Sequence, residues 1–99
     1  MIQHMNLVFQ AEGLSVGEGA FLMACCNHTN NRGYVAAHMQ QLADEAHMSR
    51  RSTQDQKRRL VERNLLEVTP QFNPEDGAQL ASQLRVNLNL LTSLKRGTR

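Results

Sequence analysis

The stretch Gln41-Leu42-Ala43-Asp44-Glu45-Ala46-His47-Met48-Ser49-Arg50-Arg51-Ser52 decides how this chain is read. Met39, Leu42, Ala43 and Ala46 line one side of a helix predicted over residues 39–46. His47-Met48-Ser49 interrupts it, and Ser49 is a good N-cap for a further helix over residues 50–63. Two helices are thereby joined by a tight turn. Small Ala43 lets them approach closely, and Met48 plugs the turn into the core. His47 stands in this turn, and His is enriched among non-glycine residues at positive φ.

Downstream, Asn64 sits where the second of these helices should stop, because Asn tolerates the left-handed conformation of a residue just past a helix end. Leu65-Leu66-Glu67-Val68-Thr69 reads as a strand ending at Pro70, and Asn73-Pro74-Glu75-Asp76-Gly77 is a dense turn signal. Leu84, Val86, Leu88 and Leu90 then alternate with Arg85, Asn87 and Asn89, which predicts a strand through Leu90. The loop from Pro70 to Gln83 is long for a hairpin.

Upstream, Ser15-Val16-Gly17-Glu18 has the form of a capping box. Phe21, Ala24, Cys25 and His28 continue it at helical spacing, predicting a helix over residues 16–28. The polar cluster Thr29-Asn30-Asn31-Arg32-Gly33 is a turn, and Tyr34-Val35-Ala36 suffices for a short strand. Residues 1–13 form a weakly apolar N-terminal extension, residues 14–91 the domain, and residues 92–99 a basic, loose tail. The expected fold class is α+β, mainly α, with three helices and a C-terminal β-hairpin.

Length and composition bound the function. Ninety-nine residues make one domain with one small core. Hydrophobic residues are 40% and aromatics 4%, with no Trp, and no apolar run approaches the roughly 20 residues of a membrane span. Met1 to Gln10 shows no secretory signal, and adjacent Cys25 and Cys26 suit a reducing cytoplasm. The net charge of +2 is uneven. Residues 50–63 set six cations against Asp55 and Glu62, a local +4, whereas residues 1–49 carry −3 and residues 64–99 carry +1. Such concentration is the electrostatic footprint expected of a nucleic-acid partner.

With these elements in place, residues 41–52 resemble the LA-x-x-x-G-x-S-x-R-T core of bacterial winged helix-turn-helix proteins. Leu60-Val61-Glu62-Arg63-Asn64-Leu65-Leu66-Glu67-Val68 resembles the L-x-x-x-G-L-[IL] passage from recognition helix into wing. The resemblance covers roughly residues 14–91 and points to DNA-binding domains of plasmid and phage replication initiators and small transcription regulators. It implies a sequence-specific double-stranded DNA-binding protein at the bacterial nucleoid, a regulator or repressor, or alternatively an origin-binding initiator or a protein-interaction module. The chain departs from the pattern at Thr53, Gln56 and Lys57, where the family carries apolar residues. Its inner face is left to Thr53, Leu60, Val61 and the stem of Lys57.

If Thr53 and Leu60 face inward, Arg51, Gln54, Asp55 and Arg58 share the opposite face. Arg can bridge guanine O6 and N7, Gln can pair with adenine, and Asp55 can accept from a cytosine N4 although it repels phosphates. Ser49, Arg50, Ser52, Lys57, Arg59 and Arg63 complete the expected DNA-binding set on this helix, the flanking arginines being suited to phosphates. Gln71, Asn73 and Arg85 are the expected wing contacts. One module of this size offers little surface for specificity, so a homodimer is expected, through Ile2 to Phe9 with Leu91 and Leu94.

Other chemistries fare poorly. Cys25-Cys26-Asn27-His28, with His4, His38 and His47 elsewhere, invites a metal, but no second ligand pair stands at a recognisable spacing. Buried free cysteine as a small hydrophobe is the better reading. Asp44-Glu45 and Glu75-Asp76 are adjacent pairs that do not converge, and no nucleophile-elbow, P-loop or zinc-protease motif is present. No enzyme activity and no cofactor are expected.

Overall fold

The computed structural model describes residues 1–94, and of 79–81 the backbone alone. Five helices and three strands follow in the order α1 (Ile2–Gln10), α2 (Val16–Asn27), β1 (Tyr34–Val35), α3 (Met39–Glu45), α4 (Arg50–Glu62), β2 (Leu66–Phe72), β3 (Gln79–Val86) and α5 (Leu88–Ser93). The fold is α+β. The strands form one antiparallel sheet in the order β1-β3-β2.

The capping box at Ser15 is complete. The Ser15 hydroxyl accepts from the Glu18 amide at 3.1 Å while the Glu18 carboxylate accepts from the Ser15 amide at 2.9 Å. It starts α2, whose Phe21, Leu22, Ala24, Cys25 and Cys26 are buried. Leu42 and Ala43 from α3, Leu60 from α4, Leu65, and Leu66, Leu84 and Val86 from the sheet close the core around it. Burial pushes the Cys25 thiol far up and the Cys26 thiol to about 12, so both remain protonated fillers of the core.

Both α3 and α4 end with a left-handed non-glycine residue, at the two positions the sequence marks. His47 has φ 57 and Asn64 has φ 61. In each, paired amide-to-carbonyl bonds close the helix end: His47 to Asp44 and Met48 to Ala43 after α3, Asn64 to Val61 and Leu65 to Leu60 after α4. This is the Schellman arrangement, which satisfies carbonyls that would otherwise be left open.

Several elements differ from the sequence reading. Residues 1–13 contain a helix, α1, which buries His4 and Val8 on α2; His4 Nδ1 lies 2.6 Å from the Thr29 hydroxyl at the end of that helix. Strand β2 runs through Pro70 to Phe72; it lies at the sheet edge, and its register shifts between Thr69 and Gln71, where a residue without an N–H does least harm. The hairpin loop is accordingly short, with Asn73 and Gly77 holding a tight turn in place of a loop from Pro70 to Gln83. The strand predicted through Leu90 stops at Val86, because the Asn87 side chain accepts from the Leu90 amide at 3.1 Å and caps α5. Leu91 is therefore fully buried in the core and is no dimer contact, while Leu94 is half-buried. The basic tail beyond Leu94, with Lys95, Arg96 and Arg99, lies outside the described residues.

Candidate nucleic-acid interface

Helix α4 is set by its first turn. The Ser49 hydroxyl accepts from the Ser52 amide at 3.1 Å, and the Thr53 hydroxyl donates to the Ser49 carbonyl at 2.9 Å. Thr53 can therefore be buried without leaving a polar group unpaired. With Leu60 it forms the inner face, and α4 packs on α2, α3 and β2. Val61, placed on that inner face by sequence, is exposed instead. The half-buried Gln56 takes its place, packing against the backbone of Gly17, where a Cβ would meet the Gln56 amide at 2.8 Å. The Gln56 Oε1 is buried with no hydrogen-bond partner among the described residues.

The outer face carries Arg51, Gln54 and Arg58 exposed and Asp55 half-exposed, the four residues that sequence spacing groups together. Asp55 Oδ1 lies 3.4 Å from Arg58 Nη2, an open ion pair of the kind worth about 0–1 kcal/mol. Among the described residues no ion pair engages Arg50, Arg51, Lys57 or Arg59. Lys57 reaches two grooves. One, of about 380 Å³, runs between α4 and the sheet and is bordered by Arg50, His38, Met39 and Leu84. The other, of about 460 Å³, lies where Gln54, Arg58 and Val61 face Val68 of β2. The outer face of α4 and the base of the hairpin thus line this second groove, with Asp55 and Glu62 among its residues. Val61 and Val68 were missed by sequence reading as part of it, since each looks like ordinary core at its spacing.

Other expected contacts are otherwise engaged. Arg63 donates to the Gly13 carbonyl at 2.9 Å and to both Glu18 carboxylate oxygens at 3.1 and 3.2 Å, joining the end of α4 to the start of α2. This clamp engages the guanidinium that sequence spacing sets among the phosphate contacts. Arg85 stands between its neighbours on both adjacent strands. It donates to the Arg32 carbonyl at 3.0 Å and to Glu67 at 3.4 Å, and its guanidinium lies 5.3 Å from the centre of the Tyr34 ring. The Asn73 side chain accepts from the Glu75 amide at 2.9 Å and organises the hairpin turn. Ser49 is occupied by capping, whereas Ser52 and Gln71 are exposed.

The residues weighed as metal ligands do not converge. His28 Nε2 lies 2.8 Å from Glu45 Oε2, an exposed pair that lowers the Glu45 pKa chiefly through this contact. Burial first, and the N-terminal ammonium second, lower that of His4. Among the described residues no three His, Cys, Asp or Glu side chains are grouped to hold a metal ion, and no helix is long and apolar enough to cross a membrane. No known protein family, curated protein or solved structure matches the chain.

Proposed function

We propose that this chain is a sequence-selective double-stranded DNA-binding protein of winged helix-turn-helix type, acting as a bacterial, plasmid or phage transcription regulator. The observation that carries the reading is the outer face of α4: Arg51, Gln54 and Arg58 stand open to solvent, and Arg50, Lys57 and Arg59 beside them are committed to no ion pair among the described residues. The element order from α2 through β1, α3, α4, β2 and β3 supports the winged-helix assignment, as do the left-handed turn at His47 and the Ser49 cap. In this reading the first turns of α4 enter the major groove, where Arg51 and Gln54 read base edges. Arg50, Lys57 and Arg59 neutralise phosphates.

Selection of duplexes from a random pool, followed by fluorescence anisotropy, tests it. Arg51→Ala is expected to weaken the best site by about 1–3 kcal/mol and relax one base position. Arg59→Ala is expected to weaken all sites alike and flatten the salt slope by about 0.9. Unchanged binding in both Arg51→Ala and Arg58→Ala refutes this face as the DNA reader.

One observation favours a second reading for the hairpin. Residues 70–83 carry Glu75 and Asp76 and no cation, and Phe72 is 59% exposed there. This end repels phosphates and offers an aromatic, which suits a protein contact. Neutralising Glu75 and Asp76 then leaves the specific DNA site unchanged and raises nonspecific affinity modestly.

A further inference from the structure

The groove of about 380 Å³ between α4 and the sheet combines two linings that DNA binding alone does not use together. Its floor is apolar, made by Ala37, Met39 and the buried Leu84. Its rim is basic, with Arg50 and Lys57 beside His38. The two cations stand two turns apart on α4, roughly 10 Å, close enough for long side chains to converge on one small ligand. Arg50 is tethered at the groove, its Nη1 donating to Gln40 Oε1 at 3.5 Å. Lys57 enters no ion pair among the described residues, and the His38 side chain makes no capping bond at the start of α3.

No carboxylate lines this groove among the described residues; Asp44 stands behind the Gln40 amide, from which it accepts at 2.9 Å. The neighbouring grooves differ. The one that Lys57 shares with Val61 and Val68 also holds Asp55 and Glu62, and the one at Arg32 and Arg85 holds Glu67. Cations there meet a built-in counter-charge. Here two uncompensated cations border an apolar floor. A DNA phosphate would use the cations and leave the floor wet, whereas a neutral apolar molecule would cover the floor and leave the cations without a counter-charge. One ligand chemistry satisfies both.

We propose that this groove is a binding site for a small organic anion, a single carboxylate or phosphate head on an apolar body, and that its occupation withdraws Arg50 and Lys57 from DNA. The head lies between the guanidinium and the ammonium, and the body lies on Met39 and Leu84. The volume is at the small end of ligand sites, and the groove is open, so a dissociation constant of about 0.1–1 mM is expected. The consequence for DNA rests on the reading proposed above; the site itself does not.

Chemical-shift titration of the isotope-labelled full chain, without DNA and at constant ionic strength, tests the site. Benzoate and phenyl phosphate should shift the amides of Gln40, Lys57 and Leu84 and saturate. Acetate, which is the head alone, and benzyl alcohol, which is the body alone, should bind roughly tenfold more weakly or worse. Lys57→Gln should weaken benzoate about fivefold, with helical circular dichroism unchanged. Should that chain lose its fold, Arg50→Gln carries the same expectation. Arg32→Ala, which removes a cation from another groove, should leave benzoate binding intact. No shift with either aromatic anion, acetate or benzyl alcohol binding as tightly as benzoate, or a folded Lys57→Gln or Arg50→Gln chain with wild-type affinity overturns the site. Fluorescence anisotropy on the selected duplex then tests the consequence. Saturating benzoate should flatten the salt slope by about 1.8, two phosphate contacts at about 0.9 each. A slope and affinity unmoved by bound benzoate overturn the link to DNA, whereas a chain that binds benzoate here and no duplex supports the site and refutes the DNA reading alone.

Discussion

Replacing Arg63 by Ala separates a structural arginine from a DNA-binding one. In the native chain this guanidinium spans the Gly13 carbonyl and the Glu18 carboxylate, which is only 8% exposed. The substitution removes one charge-assisted bond to a backbone carbonyl and leaves Glu18 with the Ser15 amide and hydroxyl as partners. Breaking a fully buried ion pair costs about 3–5 kcal/mol. Here 35% of the Arg63 side chain meets solvent, and water can reach the abandoned carboxylate. The expected loss is therefore about 1.5–3 kcal/mol, or about 1–2 M in urea midpoint at a slope near 1.5 kcal/mol/M.

Acid titration supplies the sign of the same effect. Burial pushes the Glu18 carboxyl up, but the Ser15 amide, the Arg63 guanidinium and the Ser15 hydroxyl outweigh it and hold it below its ordinary value of 4.5. A depressed folded pKa contributes stability above the unfolded value, and that contribution is lost as pH falls through the folded one. Wild-type stability should thus decline below about pH 4.5 more steeply than that of Arg63→Ala. Chemical denaturation at pH 7 and pH 3 measures both quantities. The clamp reasoning is refuted if Arg63→Ala stays within about 0.5 kcal/mol of wild type and yet flattens the salt slope of DNA binding by about 0.9.

Gly33→Ala should cost about 3 kcal/mol or more, because φ is +87 there and the new Cβ would meet the Val86 carbonyl at 2.6 Å; a thermal melt within error of wild type would contradict it. His47→Gly should stabilise by about 0.5–1 kcal/mol, relieving the left-handed turn after α3, and a urea midpoint at or below wild type would count against strain at this residue. Gln56→Met, which removes an acceptor buried without a partner while filling the same space over Gly17, should be neutral or stabilising by up to about 1 kcal/mol; a loss above that amount in urea would mean the amide is satisfied. Cys25 and Cys26 should resist a thiol reagent at pH 8 until the chain is unfolded, and labelling at the rate of a free thiol would show that the centre of α2 opens.

Much of the fold was legible because local chemistry and tertiary packing agree. The capping box at Ser15, the cap at Ser49 and the left-handed sites at His47 and Asn64 are decided within a few residues, and a sequence states them directly. The alternation from Leu84 to Leu90 failed because a local signal met a distant anchor. Period two and an Asn cap compete for Asn87, and the cap wins because its amide also donates to the Asn64 carbonyl while its backbone amide donates to Leu65. That second anchor comes from 23 residues away in sequence, beyond the reach of any window. Helix α1 escaped notice because no acidic first turn, basic last turn or side-chain cap marks its ends, and its place is set by packing on α2.

The candidate site shows the same division in sharper form. Helical period alone groups Arg51, Gln54, Asp55 and Arg58, and their exposure agrees with it. Period cannot tell which flanking arginine is already spent. Arg59 and Arg63 are one turn apart on the same side of α4, yet only Arg63 meets a carboxylate, because only it lies level with the capping box that starts α2. A charge count over residues 50–63 therefore overstates what is available to a phosphate. Once the Arg63 pairing with Glu18 and the open Arg58 pairing with Asp55 are set aside, Arg50, Arg51, Lys57 and Arg59 remain as the cations uncommitted to any ion pair among the described residues. With Arg51 on a base edge, the three set against phosphates, Arg50, Lys57 and Arg59, imply a salt slope of about 2.7, at about 0.9 per phosphate neutralised.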